Sequence, residues 1–275
     1  MESPITIHRE IFAESHVASA WKKDVEGVRI LALHGFTGSG LDWAPIAARL
    51  DRSFLAPDLL GHGASPAPED WRAYRVHRVV SQCLDWCGLD SDWVVMGYSM
   101  GGRVALRLAP LLGDRLKGLV LISASPGIQG AKARAERMAQ DAALAGSIER
   151  FGADWFSQYW SERPIIQSQK QIPESVRASM LVRRKSNRPV GLAGSLRGMG
   201  QGAVDPVWST LGDLDVPCLV ISGEQDVRYT EIATKTTEKM NDAMHVSIPN
   251  VGHCAHLEAI DLVSERLQDF ISSIG

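Results

Sequence analysis

Short unbroken apolar runs recur along the first 125 residues, and each ends in a stretch rich in glycine, aspartate or serine. Runs of this kind, bounded by turn residues, read as strands buried on both faces. Residues 28–33 form one and run into His34-Gly35-Phe36-Thr37-Gly38-Ser39-Gly40; residues 53–57, 93–96 and 116–122 repeat the pattern. Between them, 41–50, 71–87 and 104–112 place apolar residues at helical spacing. Two earlier stretches, 6–12 and 17–21, read as an antiparallel opening pair. Strands alternating with helices predict a mostly parallel sheet with helices on both faces. In such a sheet the chemistry gathers at the carboxyl ends of the strands, where His34, Asp58 and Ser99 all fall.

The rhythm changes after Ser125-Pro126-Gly127. Residues 131–144, 148–160, 173–185 and 190–199 keep helical spacing and lose the strand signal. Strands return at 216–222 and 244–248, and 259–274 reads as a closing helix. The expected organisation is an α/β core in two parts, 1–125 and 206–275, interrupted by a helical cap insertion at 126–205.

Composition narrows the partners. The chain has 275 residues, 45% of them hydrophobic, and no run long enough to span a bilayer. The start, Met1-Glu2-Ser3-Pro4-Ile5, lacks the basic and then apolar regions of a signal peptide, so a cytoplasmic protein without membrane insertion is expected. A net charge of −3 argues against a nucleic-acid partner. The charge is uneven, however: residues 126–200 hold 12 Lys/Arg against 6 Asp/Glu, net +6, which leaves −9 elsewhere. A basic segment in an acidic protein points to a small anionic ligand, although a solvated helical surface would also account for many of these charges. Cys83, Cys87, Cys218 and Cys254 lack metal-binding spacing and read as free thiols. With no phosphate loop or dinucleotide fingerprint, neither cofactor nor metal is expected. A monomer or small homo-oligomer is the expected state.

Gly97-Tyr98-Ser99-Met100-Gly101 lies between a strand and a helix, the sequence form of a nucleophile elbow. A serine hydroxyl is weakly reactive until an imidazole takes its proton and a carboxylate orients that imidazole. After an elbow the expected order is serine, acid, histidine. Asp226 follows the strand at 218–222 and fits the acid, with Glu224 as competitor in the same loop. His253 follows the strand at 244–248 and fits the base, with His256 as competitor. An oxyanion hole needs two backbone N–H groups, for which Met100 and Phe36 hold the right positions. His34 reads as structural. Arg103 lies one helical turn beyond Ser99 on the same face, a position compatible with the site and equally with the surface. Tyr98 either projects into the cleft or packs beneath the cap.

At these residues the chain resembles the α/β-hydrolase fold family along essentially its whole length. It resembles in particular one branch, the 2-succinyl-6-hydroxy-2,4-cyclohexadiene-1-carboxylate (SHCHC) synthases of menaquinone biosynthesis. The residues that carry this resemblance are His34 to Gly40 with Asp42-Trp43, Gly97 to Arg103, Ser125-Pro126-Gly127, Ser186-Asn187, Ser195-Leu196-Arg197-Gly198-Met199-Gly200 and Gly252 to His256. The resemblance implies a lyase in which the triad removes a ring proton and pyruvate is eliminated without an acyl-enzyme. It implies a substrate with several carboxylates, Arg103 and Arg137 as carboxylate-binding residues, and Trp160 and Tyr98 as pocket walls. A further basic residue of the family corresponds to either Arg184 or Lys185. A serine carboxylesterase or C–C bond hydrolase acylated on Ser99 is the alternative, and a ligand receptor that keeps the fold is a third reading.

Overall fold

The apolar runs become the middle of one twisted sheet in a computed structural model that describes residues 7–11, 17–21 and 27–274. The expectations placed on Met1 to Ile5, Thr6 and Phe12 lie outside the described residues. The strands are β1 (Ile7–Ile11), β2 (Val17–Trp21), β3 (Arg29–Leu33), β4 (Phe54–Pro57), β5 (Trp93–Tyr98), β6 (Leu116–Ile122), β7 (Cys218–Gly223) and β8 (Ala243–Ile248). Their order across the sheet is β1-β2-β4-β3-β5-β6-β7-β8. The first two pairings are antiparallel and the remaining five are parallel.

Period-two alternation divides the sheet's side chains between two cores. Leu31, Leu33, Val95, Leu119, Leu121 and Val220 pack with helices α2 (Val76–Cys87) and α3 (Met100–Leu112). Ile30, Ala32, Val94, Met96, Val120 and Ile122 pack on the other face with α1 (Ala44–Ala47) and α9 (Ile260–Ile274). The apolar positions of α9, Ile260, Val263, Leu267, Phe270 and Ile271, fall on one stripe, so burying that stripe is what holds the helix. β5 runs through the centre, paired with β3 and β6, and its exit therefore lies mid-sheet.

Three helices follow one another between β6 and β7: α4 (Ala131–Ser161), α5 (Glu174–Ser186) and α6 (Pro189–Met199). Ala145, Ile148, Phe156, Leu192, Ala193 and Leu196 give α4 and α6 a small core of their own, while α5 packs through Met180 against Cys254 and Leu257. The expected gap at 145–147 is absent. The helix continues there and breaks instead at Gly152, whose φ of 83° is left-handed. Gly146 costs a helix only about 1 kcal/mol, and burial of its neighbours Ala145 and Ile148 offsets that. Smaller corrections share one cause, local tightening near a turn. The stretch 41–50 is a 3-10 turn followed by α1, and 71–87 is a 3-10 turn, Trp71–Tyr74, followed by α2. Arg75 separates the latter two in an extended conformation. Helices α7 (Val227–Thr237) and α8 (Ala255–Glu258) and the 3-10 segment Pro164–Gln171 were not expected. Among the described residues no helix is long and apolar enough to cross a membrane.

Candidate active site

The turn from β5 to α3 sets the geometry of Ser99. Ser99 sits between them at φ 49° and ψ −103°, a backbone conformation that costs a non-glycine residue about 1–3 kcal/mol. The close packing around it sustains the strain. A Cβ on Gly101 would come within 2.1 Å of the Leu33 carbonyl oxygen, and one on Gly97 within 2.6 Å of the Gly101 backbone. The Ser99 amide donates to the Ile122 carbonyl at 2.9 Å, which ties the turn to β6.

Two further strand ends complete the line. His253 Nε2 lies 3.0 Å from Ser99 Oγ, and His253 Nδ1 lies 2.6 Å from Asp226 Oδ2. A carboxylate only accepts, so Nδ1 carries the proton and Nε2 is left to accept from the serine hydroxyl. The two competitors are occupied elsewhere. Glu224 Oε2 accepts the Asn250 amide at 2.9 Å and braces the acid loop against the histidine loop. His256 is buried between Trp43, at 4.8 Å, and Tyr98, at 4.5 Å, and burial pushes its pKa down to about 3. It is a neutral core residue. His34 is another: it accepts the Leu59 amide at Nε2, donates from Nδ1 to the Gly35 carbonyl, and burial lowers its pKa to about 4.

Met100 is the first residue of α3, so its amide belongs to the first turn, whose N–H groups have no intrahelical partner. A helix N-terminus there favours negative charge beside Ser99. Phe36 follows β3 in a loop shaped by Thr37 at φ 72° and held by Asn187 Nδ2, which donates to the Thr37 carbonyl at 2.9 Å. Its ring meets Trp160 edge-on at 5.4 Å and so helps to wall the cavity. Tyr98 also faces that cavity, and burial raises its phenol pKa well above the usual value.

The cavity encloses about 250 Å³ around Ser99, and arginines reach it from several helices. Arg103 is 7% exposed, which removes the surface reading of that residue. Its Nη2 donates to the Met199 carbonyl at 2.9 Å, while its buried Nε has no partner among the described residues. Arg137 from α4 donates through Nε to Asp141 at 2.9 Å and through Nη1 to Gln201 at 2.6 Å. Arg184 from α5 donates through Nη2 to Gln169 at 2.8 Å, and its buried Nε is likewise unpartnered. Burial pulls the pKa values of Arg103 and Arg184 below the usual guanidinium value. Lys185 does not join them. It is exposed and outside the cavity lining, because consecutive side chains on a helix diverge by about 100° and only one of this pair can face inward.

Arg163, Arg228, Gln201 and Tyr229 also line the cavity and were not singled out from the sequence. Arg228 had a usable signal, since it lies two residues beyond Asp226. Tyr229, whose ring meets His253 edge-on at 4.5 Å, and Gln201 had none. The four cysteines are buried and form no disulfide, and burial pushes the thiol pKa of Cys254, beside His253, well above its ordinary value. Among the described residues no cluster of three or more His, Cys, Asp and Glu could hold a metal ion.

Residues 30–266 match the alpha/beta hydrolase family. A Bacillus subtilis protein provisionally named as an SHCHC synthase is 35% identical, over 89% of this chain and 90% of its own length. The SHCHC synthase of Salmonella paratyphi C is 31% identical, over 83% of this chain and 88% of its own. The chain belongs to the SHCHC synthase branch of the alpha/beta hydrolase family. The solved structure of MenH from S. aureus superposes with a TM-score of 0.87 at 27% identity, covering 93% of this chain and 98% of that one. For an SHCHC synthase relative, an extra arginine on the elbow helix is thus part of a lined cavity and not a surface ornament.

Proposed function

We propose that this chain converts 2-succinyl-5-enolpyruvyl-6-hydroxy-3-cyclohexene-1-carboxylate to SHCHC and pyruvate, the lyase step of menaquinone biosynthesis. One observation supports the reading: the buried guanidinium groups of Arg103 and Arg184 line the cavity that contains Ser99, and among the described residues each has one neutral hydrogen-bond partner and no carboxylate within ion-pair distance. A buried charge without a counter-ion is costly, and a multi-carboxylate substrate supplies one while a hydrophobic ester does not. Family membership supports the same chemistry.

In this reading Ser99 Oγ, its proton passed to His253 Nε2, removes a proton from the ring. The electron pair of that C–H bond forms a ring double bond as the C–O bond to the enolpyruvyl group breaks. The departing enolate takes the proton held on His253 and becomes pyruvate. Asp226 keeps His253 in the required tautomer, and the Phe36 and Met100 amides stabilise negative charge developing on the substrate. Arg103, Arg137 and Arg184 hold carboxylates, with Tyr98 and Trp160 as walls. Residues 126–205 act as the cap that brings most of the positive charge, and the step runs in the cytoplasm on a monomer or small homo-oligomer.

The test is pyruvate release from the enzymatically generated precursor. One pyruvate per substrate consumed, with no burst, is the expected result. Absence of pyruvate together with robust p-nitrophenyl acetate turnover and a trapped acyl-Ser99 would establish the esterase reading instead. Ligand binding without any turnover would make the protein a receptor.

A further inference from the structure

His253 has to meet Ser99 and Asp226 at once, yet it lies in a turn between β8 and α8, outside any helix or strand. Its ring is hydrogen-bonded to Asp226 and Ser99 and packed by Tyr98 and Tyr229, contacts that set its rotation. The backbone on both sides of it is gripped by a single carboxylate that the scheme above does not use. Glu258, the last residue of α8, accepts the Gly252 amide on Oε2 at 2.6 Å and the Cys254 amide on Oε1 at 3.0 Å. The same Oε1 accepts the Ser168 hydroxyl at 2.9 Å, and Ser168 belongs to the 3-10 segment Pro164–Gln171 that follows α4. One residue further along that segment, Gln169 holds Arg184.

We propose that Glu258 is a positioning residue for His253, and that Ser168 joins this grip to the helical segment that carries Arg137 and Arg184. The inference rests on the role given above to His253 as the proton acceptor of Ser99. The physical ground is that three donors converge on one partly buried carboxylate, and hydrogen bonds to an ionised acceptor are shorter and stronger than neutral ones. The residues on either side of His253 thereby lose their freedom to shift along the loop. Asp226 and the other ring contacts fix the rotation of the ring, and Glu258 fixes the place from which the ring projects. Glu258 touches neither substrate nor reacting atoms, so its effect passes through the distance from Nε2 to Oγ.

The experiment compares wild type with Glu258→Ala, Glu258→Gln and Ser168→Ala through two readouts. The first is steady-state pyruvate release. The second is the rate at which diisopropyl fluorophosphate labels Ser99, which reports the Ser99–His253 pair without any natural substrate. A displacement of an ångström costs about 100-fold in rate, so Glu258→Ala should lose about that factor in kcat and in labelling, with KM within about twofold. Glu258→Gln keeps one acceptor oxygen and should fall between that variant and wild type. Ser168→Ala should lose about threefold, as one of three donors is removed. A purely structural role would lower the melting temperature without slowing the labelling of folded protein. Labelling and kcat within twofold of wild type in folded Glu258→Ala overturn the proposal, as does a loss confined to KM. Should Glu258→Ala not fold, Glu258→Gln is judged by the same criterion. Wild type that labels rapidly but releases no pyruvate refutes the lyase reading, while the labelling series still decides the role of Glu258.

Discussion

The sheet and the helical segment between β6 and β7 solve different problems with different residues. Ser99 and Asp226 follow closely on β5 and β7, which are nearly all apolar and buried, whereas His253 lies in a turn beyond the half-exposed β8. The first two positions are set by a hydrogen-bonded ladder, which suits chemistry that tolerates little displacement. Arg137 comes from α4, which shares with α6 a small core distinct from the sheet's, and Arg184 comes from α5, which packs through Met180 on Cys254 and Leu257; both are oriented by side chains such as Asp141, Gln201 and Gln169. The sheet supplies a reactive hydroxyl common to a large family, whereas the helices decide which charge pattern sits beside it. Arg103 crosses the divide. It grows from the elbow helix of the core, but its Nη2 is held by the Met199 carbonyl at the end of α6. The same contrast appears in the histidines: all eight lie outside residues 126–205.

If the division is right, removing the hydroxyl should stop chemistry and leave recognition. Ser99→Ala should reduce pyruvate release by about 10⁴-fold or more while calorimetric affinity for the product SHCHC stays near wild type. Wild-type turnover would end Ser99's role. Next in size are the arginines. Truncating one member of a buried charged contact costs about 2–5 kcal/mol, so Arg103→Ala and Arg184→Ala should each lower kcat/KM by about 30-fold or more. Lys185→Ala should leave kcat/KM within about twofold. Equal losses at 184 and 185 would mean that α5 presents a different face to the substrate. Arg103→Lys should restore little, because a lysine cannot donate two parallel hydrogen bonds to a carboxylate.

A third change loosens the two regions from each other. Arg183 on α5 donates through Nε and Nη2 to Asp42 Oδ1 at 2.9 and 2.6 Å, and Asp42 also takes the Ser39 amide. Asp42→Asn should destabilise the fold by about 1–3 kcal/mol in urea denaturation, the range for charged hydrogen bonds. An unchanged midpoint would show that the segment docks without this pair.

The smallest effect concerns acid. His34, His62 and His256 have folded-state pKa values lowered to about 4, 3 and 3 by burial, below the 6.5 of a free imidazole. As pH falls the unfolded chain binds protons before the folded one does. Their neutral burial therefore adds no penalty above about pH 6.5, and stability declines progressively from there toward pH 4. Each such histidine contributes a slope of about 1.4 kcal/mol per pH unit in that window. His256→Asn should flatten the slope by about one histidine's share. An unaltered slope would show that His256 binds its proton without loss of the fold.

The parts readable from sequence were those set by neighbours along the chain. A buried strand, a glycine-lined turn and a loop histidine are local patterns, and they singled out Ser99, Asp226 and His253, which the fold brings together, and the mostly parallel character of the sheet. Where two equivalent residues shared a segment, local pattern could rank them but could not exclude one. Glu224 and Asp226 are both carboxylates in one loop, and what separates them is that Asn250 occupies the first. Arg184 and Lys185 differ in the direction they leave the helix, and Gly146 and Gly152 differ in whether buried neighbours hold the helix straight. Gln201 and Tyr229 meet across the chain, and Glu258 bonds the Gly252 and Cys254 amides through the geometry of a loop and Ser168 from a distant segment, so composition and spacing were silent about them.

The break at Gly152 is also a matter of length. Arg137 and Trp160 are 23 positions apart on α4, and a straight helix rising 1.5 Å per residue would set them about 35 Å from each other. Both nevertheless line one cavity. A single left-handed residue folds that span back on itself, so an arginine and a tryptophan from opposite arms become neighbours of the same serine. An added Cβ at Gly152 would meet nothing within 4 Å, so it is handedness and not room that restricts the position. The reach of the helix, and with it the width of the molecule that can be enclosed, is set at that one residue.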